Sequence, residues 1–156
     1  MKYANLILLN LLIILDNMVN KKHILEGRKI LDIKIADDKE AIKFITDQGD
    51  VIAKTDADCC SHTWVESIEL PAGGFPAQVI SAEDLDLNKP NASNDEYECL
   101  AFYGFKISTD KGDIIIDYRN SSNGYYGGSL NWPDDGYFYG GVHGQNISTE
   151  KWVDIK

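Results

Sequence analysis

Residues 97–141 decide the fold of this chain and read YECLAFYGFKISTDKGDIIIDYRNSSNGYYGGSLNWPDDGYFYGG. Phe105 and Ile107 alternate with polar residues, the turn sequence Thr-Asp-Lys-Gly follows at 109–112, and the alternation resumes at Ile114. Alternation of this kind is typical of strands with one buried face, and Asp and Gly are the residues that such a turn prefers. The stretch therefore predicts a β-hairpin.

The second half of this stretch is rich in aromatic rings and glycines. So many glycines disfavour a helix, which places the rings on short extended or irregular backbone. Tyrosine and tryptophan presented in this way are common anchors in binding surfaces. We expect the exposed members to contact a partner, while packing of the rings in the core stays open as the alternative. The candidates are Tyr125, Tyr126, Trp132, Tyr137 and Tyr139.

A second hairpin precedes the first and uses the same turn pattern. Thr-Asp-x-Gly-Asp followed by apolar residues begins at Thr46 and again at Thr109. Either the chain carries two similar halves, or two hairpins share a favoured turn. Residues 64–70 are predicted as a short helix or an irregular strand, and residues 152–155 as a last strand. The fold class is mainly β, an antiparallel sheet or sandwich built from hairpins with little helix.

The first 22 residues form an apolar extension, and residues 23–156 form a single β-rich domain. The run Leu6–Leu15 is too short to cross a bilayer as a helix, and no small-residue cleavage site follows it. We expect it to be disordered or a helix lying outside the core; the alternatives are that it is a leader peptide or that Met18 is the natural start. The three cysteines, two of them adjacent, favour a reducing, cytoplasmic setting.

The formal net charge of −10 indicates the kind of partner. A charge of this sign disfavours direct binding to nucleic acid or to an anionic membrane, and it favours binding to a basic protein surface. The alternative is that the acidity only maintains solubility. Another copy of the chain also remains an alternative partner.

Metal-ligand residue types cluster weakly at Asp58, Cys59, Cys60 and His62. The spacing between Cys60 and His62 is too tight for a structural zinc site, and no second ligand pair follows. We therefore expect no metal and no cofactor. The sequence also contains no catalytic signature, which predicts that the protein is not an enzyme.

Two segments, DCCSHTWVE at 58–66 and YGFKISTDKGDIIIDYRNSSNGYYGG at 103–128, resemble a family of uncharacterised bacteriophage and bacterial proteins. The resemblance implies a bacterial cytoplasmic setting and no catalytic residue. The favoured hypothesis is an accessory protein that binds and inhibits a host macromolecule, such as a basic nuclease or a CRISPR-type defence effector. The alternative is a module that binds a small ligand or a metal through its aromatic face or through the cluster from Asp58 to His62.

Overall fold

A computed structural model describes residues 2–19, 21–58, 60–135 and 151–156 of the chain. One helix, α1 (Lys2–Val19), precedes the strands. The strands are β1 (Lys29–Ala36), β2 (Ala41–Thr46), β3 (Val51–Ala57), β4 (His62–Glu69), β5 (Ala77–Leu85), β6 (Cys99–Thr109), β7 (Gly112–Ser122), β8 (Gly128–Asn131) and β9 (Trp152–Asp154).

All pairings among these strands are antiparallel, in the spatial order β4-β7-β6-β5-β1-β2-β3-β8, with β9 paired to β1. The mainly β fold class predicted from the hairpins is therefore confirmed. Residues 64–70 are not helical: they belong to β4, whose register shifts between Val65 and Ser67. The irregular-strand alternative for this segment was thus the correct one.

Six strands of the sheet form two similar three-stranded meanders, β1-β2-β3 and β5-β6-β7. They meet where Lys29 of β1 pairs with Gln78 of β5. The first pair of strands in each meander has a register shift near its start, between Ile30 and Asp32 in one and between Val79 and Ser81 in the other. The repeated turn sequence thus accompanies repeated strand geometry, as the interpretation with two similar halves predicts.

The two turns close in the same way. Thr46 donates its hydroxyl hydrogen to the carbonyl of Gly49 at 2.5 Å, and Thr109 does the same to Gly112 at 2.6 Å. Gly49 and Gly112 both have positive φ, 98° and 115°, a conformation that side chains with a Cβ resist. The Thr and the Gly of the repeated sequence therefore both take part in closing the turn.

The fourth strand of each half comes from the other half of the chain. Strand β4 follows β3 but pairs with β7, and β8 follows β7 but pairs with β3. The exchanged strands approach each other closely, because a Cβ on Gly128 would lie 2.0 Å from the Thr63 hydroxyl. This exchange holds the two halves together around one core.

The core lies on the inner faces of both meanders. Its largest fully buried side chains include Phe44, Ile42 and Ile107. The ring of Trp132 lies between the halves, 5.5 Å from Phe44 and 5.0 Å from Phe105. The residues of the core are Leu25, Ile30, Ile33, Ile42, Phe44, Val51, Ala53, Val65, Ile68, Val79, Phe105, Ile107, Ile114, Ile116, Tyr118, Leu130 and Trp132.

Helix α1 lies outside this core. Its apolar side chains from Leu6 to Leu15 are all at least half exposed. Of the two alternatives for this segment, the helix is the one found. Within the described part of the chain, no helix has the length and apolar character needed to cross a membrane.

Candidate functional site

Two loops that the sequence separates lie together at one end of the sheet. The connection between β3 and β4 contacts the connection between β7 and β8, because the amide of Asp58 donates to the carbonyl of Gly127 at 3.4 Å. The hydroxyl of Ser61 lies 2.9 Å from the carbonyl of Asp58 and 3.4 Å from that of Gly127. We call residues 56–58, 60–62 and 123–129 the acid–tyrosine end.

The exchange of fourth strands positions this end. The Thr63 hydroxyl donates to the carbonyl of Asp56 at 2.9 Å and accepts a hydrogen bond from the buried amide of Asn120, also at 2.9 Å. Gly128 packs directly on this pair, so any side chain there would collide with Thr63. A rigid polar contact therefore lies beneath the two loops and fixes them relative to each other.

Tyr125 is the most exposed aromatic residue of this end, with 85% of its surface accessible. Its amide donates to the side chain of Asn123 at 3.1 Å, and Gly124 before it has a φ of 91°. The ring of half-buried Tyr126 meets it edge-on at 5.1 Å. The loop thus holds one tyrosine outward and supports it with the next.

Trp132 does not belong to this exposed set, which corrects the prediction from sequence. Only 3% of its surface is accessible, and its ring meets His23 edge-on at 4.4 Å. Trp132 directly follows β8 and continues its alternation, so that Leu130 and Trp132 both point inward whereas the intervening Asn131 is more accessible. Tyr137 and Tyr139 lie outside the described residues.

The cluster predicted as a weak metal candidate is only partly described, since Cys59 lies outside the described residues. Asp58 and Cys60 are exposed on the acid–tyrosine end, and Cys60 has a φ of 65°. His62 instead places its Nε2 2.9 Å from the Glu40 carboxylate. Among the residues with described positions, no three His, Cys, Asp or Glu side chains converge as a metal site requires.

A row of stacked rings extends from this end and was not predicted. His62 stacks on Trp64 with 5.3 Å between ring centroids, and Trp64 stacks on Tyr97 at 6.0 Å. The alternation of β4 places His62 and Trp64 on one face of the strand. Tyr97 lies in a loop, and no feature of the sequence predicts its contact with these two rings.

Each ring of this row has a carboxylate beside it. Glu40 pairs with His62, and Glu66 accepts a hydrogen bond from Trp64 Nε1 at 2.9 Å. A hydrogen bond to Glu96 raises the pKa of Tyr97, and burial adds to the effect. The row is therefore an acidic surface with its rings fixed in place.

The protein is therefore a rigid antiparallel β fold, and its acid–tyrosine end carries both carboxylates and aromatic rings. Residues 21–132 match the model of a family described as a domain of unknown function, DUF7448. The chain belongs to this family. Comparisons with curated proteins and with solved structures each gave no match.

Proposed function

We propose that this protein acts by binding a macromolecular partner with a basic surface, and that the acid–tyrosine end is the contact. The observation that carries the proposal is Tyr125, a large ring held almost fully in solvent on a well-connected turn. An exposed ring does not stabilise the free protein, whereas burial of the ring against a partner removes apolar area from water. Tyrosine is also among the residues that most often dominate binding energy.

The charge of the same end supports a basic partner. Asp56 and Asp58 are exposed within it, and Glu40 lies beside His62 at its edge. The whole chain carries a formal charge of −10. Negative charge concentrated around an aromatic anchor speeds encounter with a positive surface, while the buried anchor slows dissociation.

The proposal extends to the effect of the protein on its partner. The protein is an accessory protein of bacteria or their phages, acts in the cytoplasm without catalysis, and inhibits a basic nuclease or defence effector by occupying its nucleic-acid-binding surface. The resemblance of its motifs to those of phage and bacterial proteins and the acidity of the chain support this extension. Carboxylates that imitate phosphates would explain inhibition without any catalytic group.

Affinity capture from a bacterial lysate tests the proposal. The bait is the whole chain, at low and at high salt, and each retained protein is identified and its charge examined. We expect a basic protein that is retained at low salt and weakened at high salt, because salt screens exposed charges. A Tyr125→Ala bait should lose it.

The matched control is Tyr3→Ala, since Tyr3 is equally exposed but lies on α1, outside the family match. Retention of the same partner by the Tyr125→Ala and Tyr3→Ala baits would contradict the proposed contact. Capture of nothing but further copies of the chain, with a dimer in solution, would show that the end is an interface between copies.

A further inference from the structure

A concave site borders the acid–tyrosine end, with which it shares Gly128. It is a cleft of about 460 Å³ at the end of β5, where the chain leaves the sheet. This volume lies within the range of small-ligand sites. The residues that line it are Asp84, Leu85, Asp86, Leu87, Phe102, Tyr103, Gly104, Tyr118 and Gly128.

The walls of this cleft are aromatic and aliphatic. Tyr103 and Tyr118 are partners in the β6–β7 register and stack with 5.2 Å between centroids and 15° between planes. Leu87 packs over Gly104, where an added Cβ would lie 2.8 Å from its Cδ2. The missing side chain at Gly104 thus lets Leu87 form a wall.

Two carboxylates give the cleft its charge. Asp84 lies opposite Phe105 in the β5–β6 pair and so shares the face of Tyr103 and Tyr118. Burial raises the pKa of Tyr118 to about 12, and the charge of Asp84 is the next largest cause, so this carboxylate acts on the interior of the cleft. Asp86 lies two residues further and accepts a hydrogen bond from the Asn88 amide at 2.7 Å.

The nearest cations are already neutralised. Lys89 and Arg119 lie 5.7 and 5.1 Å from the centroid of the Phe102 ring; Lys89 pairs with Asp117 at 3.2 Å, and Arg119 pairs with Asp117 at 3.4 Å and with Glu66 at 3.8 Å. Of the described residues that line the cleft, two are negative and none is positive. Its unbalanced charge is therefore negative.

We infer that this cleft binds an alkylguanidinium or alkylammonium group, with the apolar stem against Leu85, Leu87 and the tyrosines and the cationic head at Asp84 and Asp86. Aromatic walls and carboxylates are the two features that recognise such a group. The inference does not rest on the proposed function. The cation is either a side chain of a protein or a free small molecule.

Titration of the whole, isotope-labelled protein with arginine amide tests this inference by NMR. With the α-amino group of both compounds acetylated, so that the guanidinium is the only charge, we expect saturable shifts at the backbone amides of Gly104 and Gly128 with arginine amide and none with the uncharged citrulline amide. Asp84→Asn should weaken binding about fivefold, the value of a partly exposed ion pair, and the spectrum itself reports whether the variant is folded.

The matched control is Asp113→Asn, an exposed aspartate at the β6–β7 turn, which should leave the affinity unchanged. Absence of saturable shifts, equal binding of citrulline amide, or equal affinity of Asp84→Asn and the native protein would overturn the inference. A capture experiment then distinguishes the sources. If Asp84→Asn no longer captures a protein partner, the natural cation is a side chain of that protein. If the variant loses only the binding of arginine amide, the natural cation is a free small molecule.

Discussion

Asp47 and Asp110 hold equivalent positions in the two halves of the sheet. Asp47 accepts a hydrogen bond from the backbone amide of Lys29 at 2.8 Å, and Asp110 accepts one from that of Gln78 at 2.7 Å. Lys29 and Gln78 are themselves paired, so both turn aspartates brace the junction at which the halves meet. One turn sequence therefore serves two purposes, closing a hairpin and joining two meanders.

Replacing Asp110 with Ala should lower the free energy of unfolding by about 1–2 kcal/mol, because a charged acceptor at the junction is lost. Asp47→Ala should have a similar effect. Urea unfolding followed by circular dichroism measures both, with Asp113→Ala as the exposed control. If Asp110→Ala is no less stable than Asp113→Ala, the junction does not depend on these carboxylates.

Gly112→Val should destabilise the protein by about 1–3 kcal/mol, since a β-branched residue strains the backbone at positive φ. Its φ is 115°, and an added Cβ would also lie 3.2 Å from the Ala72 amide nitrogen. Lys111→Val, at the exposed neighbouring position, introduces the same side chain without this strain and should cost less. Equal unfolding midpoints for the two variants would contradict the turn geometry.

Trp132 and Tyr125 should respond differently to the same substitution. Trp132→Ala should cost about 3–5 kcal/mol because a buried ring leaves a cavity between Phe44 and Phe105. Tyr125→Ala should change stability by no more than about 0.5 kcal/mol, as at other exposed sites. Thermal or urea unfolding decides this, and a small loss for Trp132→Ala would place that ring back among the exposed candidates.

The stability of the protein should fall as the pH drops below the ordinary histidine value. Burial lowers the pKa of His23 from 6.5, against the opposing charges of Asp134, Asp135, Glu26 and Asp84. The folded protein then keeps His23 neutral while the unfolded chain takes up a proton, so this contribution is complete above 6.5 and declines below it.

His23→Asn removes this titration. The loss of unfolding free energy between about pH 7.5 and about pH 5.5 should therefore be smaller in the variant than in the native protein. Measuring each protein at both pH values makes the comparison independent of any overall destabilisation by the substitution. The same loss in both proteins would show that His23 does not contribute.

The local structure of the chain was largely predictable from its sequence. The two hairpins and the last strand near Trp152 follow from alternation and turn chemistry, which act between neighbours in sequence. The exchange of β4 and β8 was not predictable, because alternation says which face of a strand is buried but not which strand lies beside it.

In the candidate site, too, local features were predictable from the sequence, whereas features that depend on strand pairing were not. Tyr125 on its glycine turn was a candidate from the sequence, and the structure finds its ring exposed, while its contact with a partner stays a prediction. Trp132 was misplaced because the alternation from Leu130 to Trp132 that indicates its burial is only three residues long and follows a glycine-rich loop. The proximity of Asp58 to Gly127 depends on the strand exchange, so only the fold reveals that the acidic and tyrosine segments form one end.

The affinity of the captured partner for three purified proteins tests the central claim most directly. The native chain, Tyr125→Ala and Tyr3→Ala are compared by calorimetry at one salt concentration. We predict a dissociation constant about thirtyfold higher for Tyr125→Ala, which corresponds to a dominant anchor of about 2 kcal/mol, and no change for Tyr3→Ala. Equal dissociation constants for all three proteins would contradict the claim that this end binds the partner.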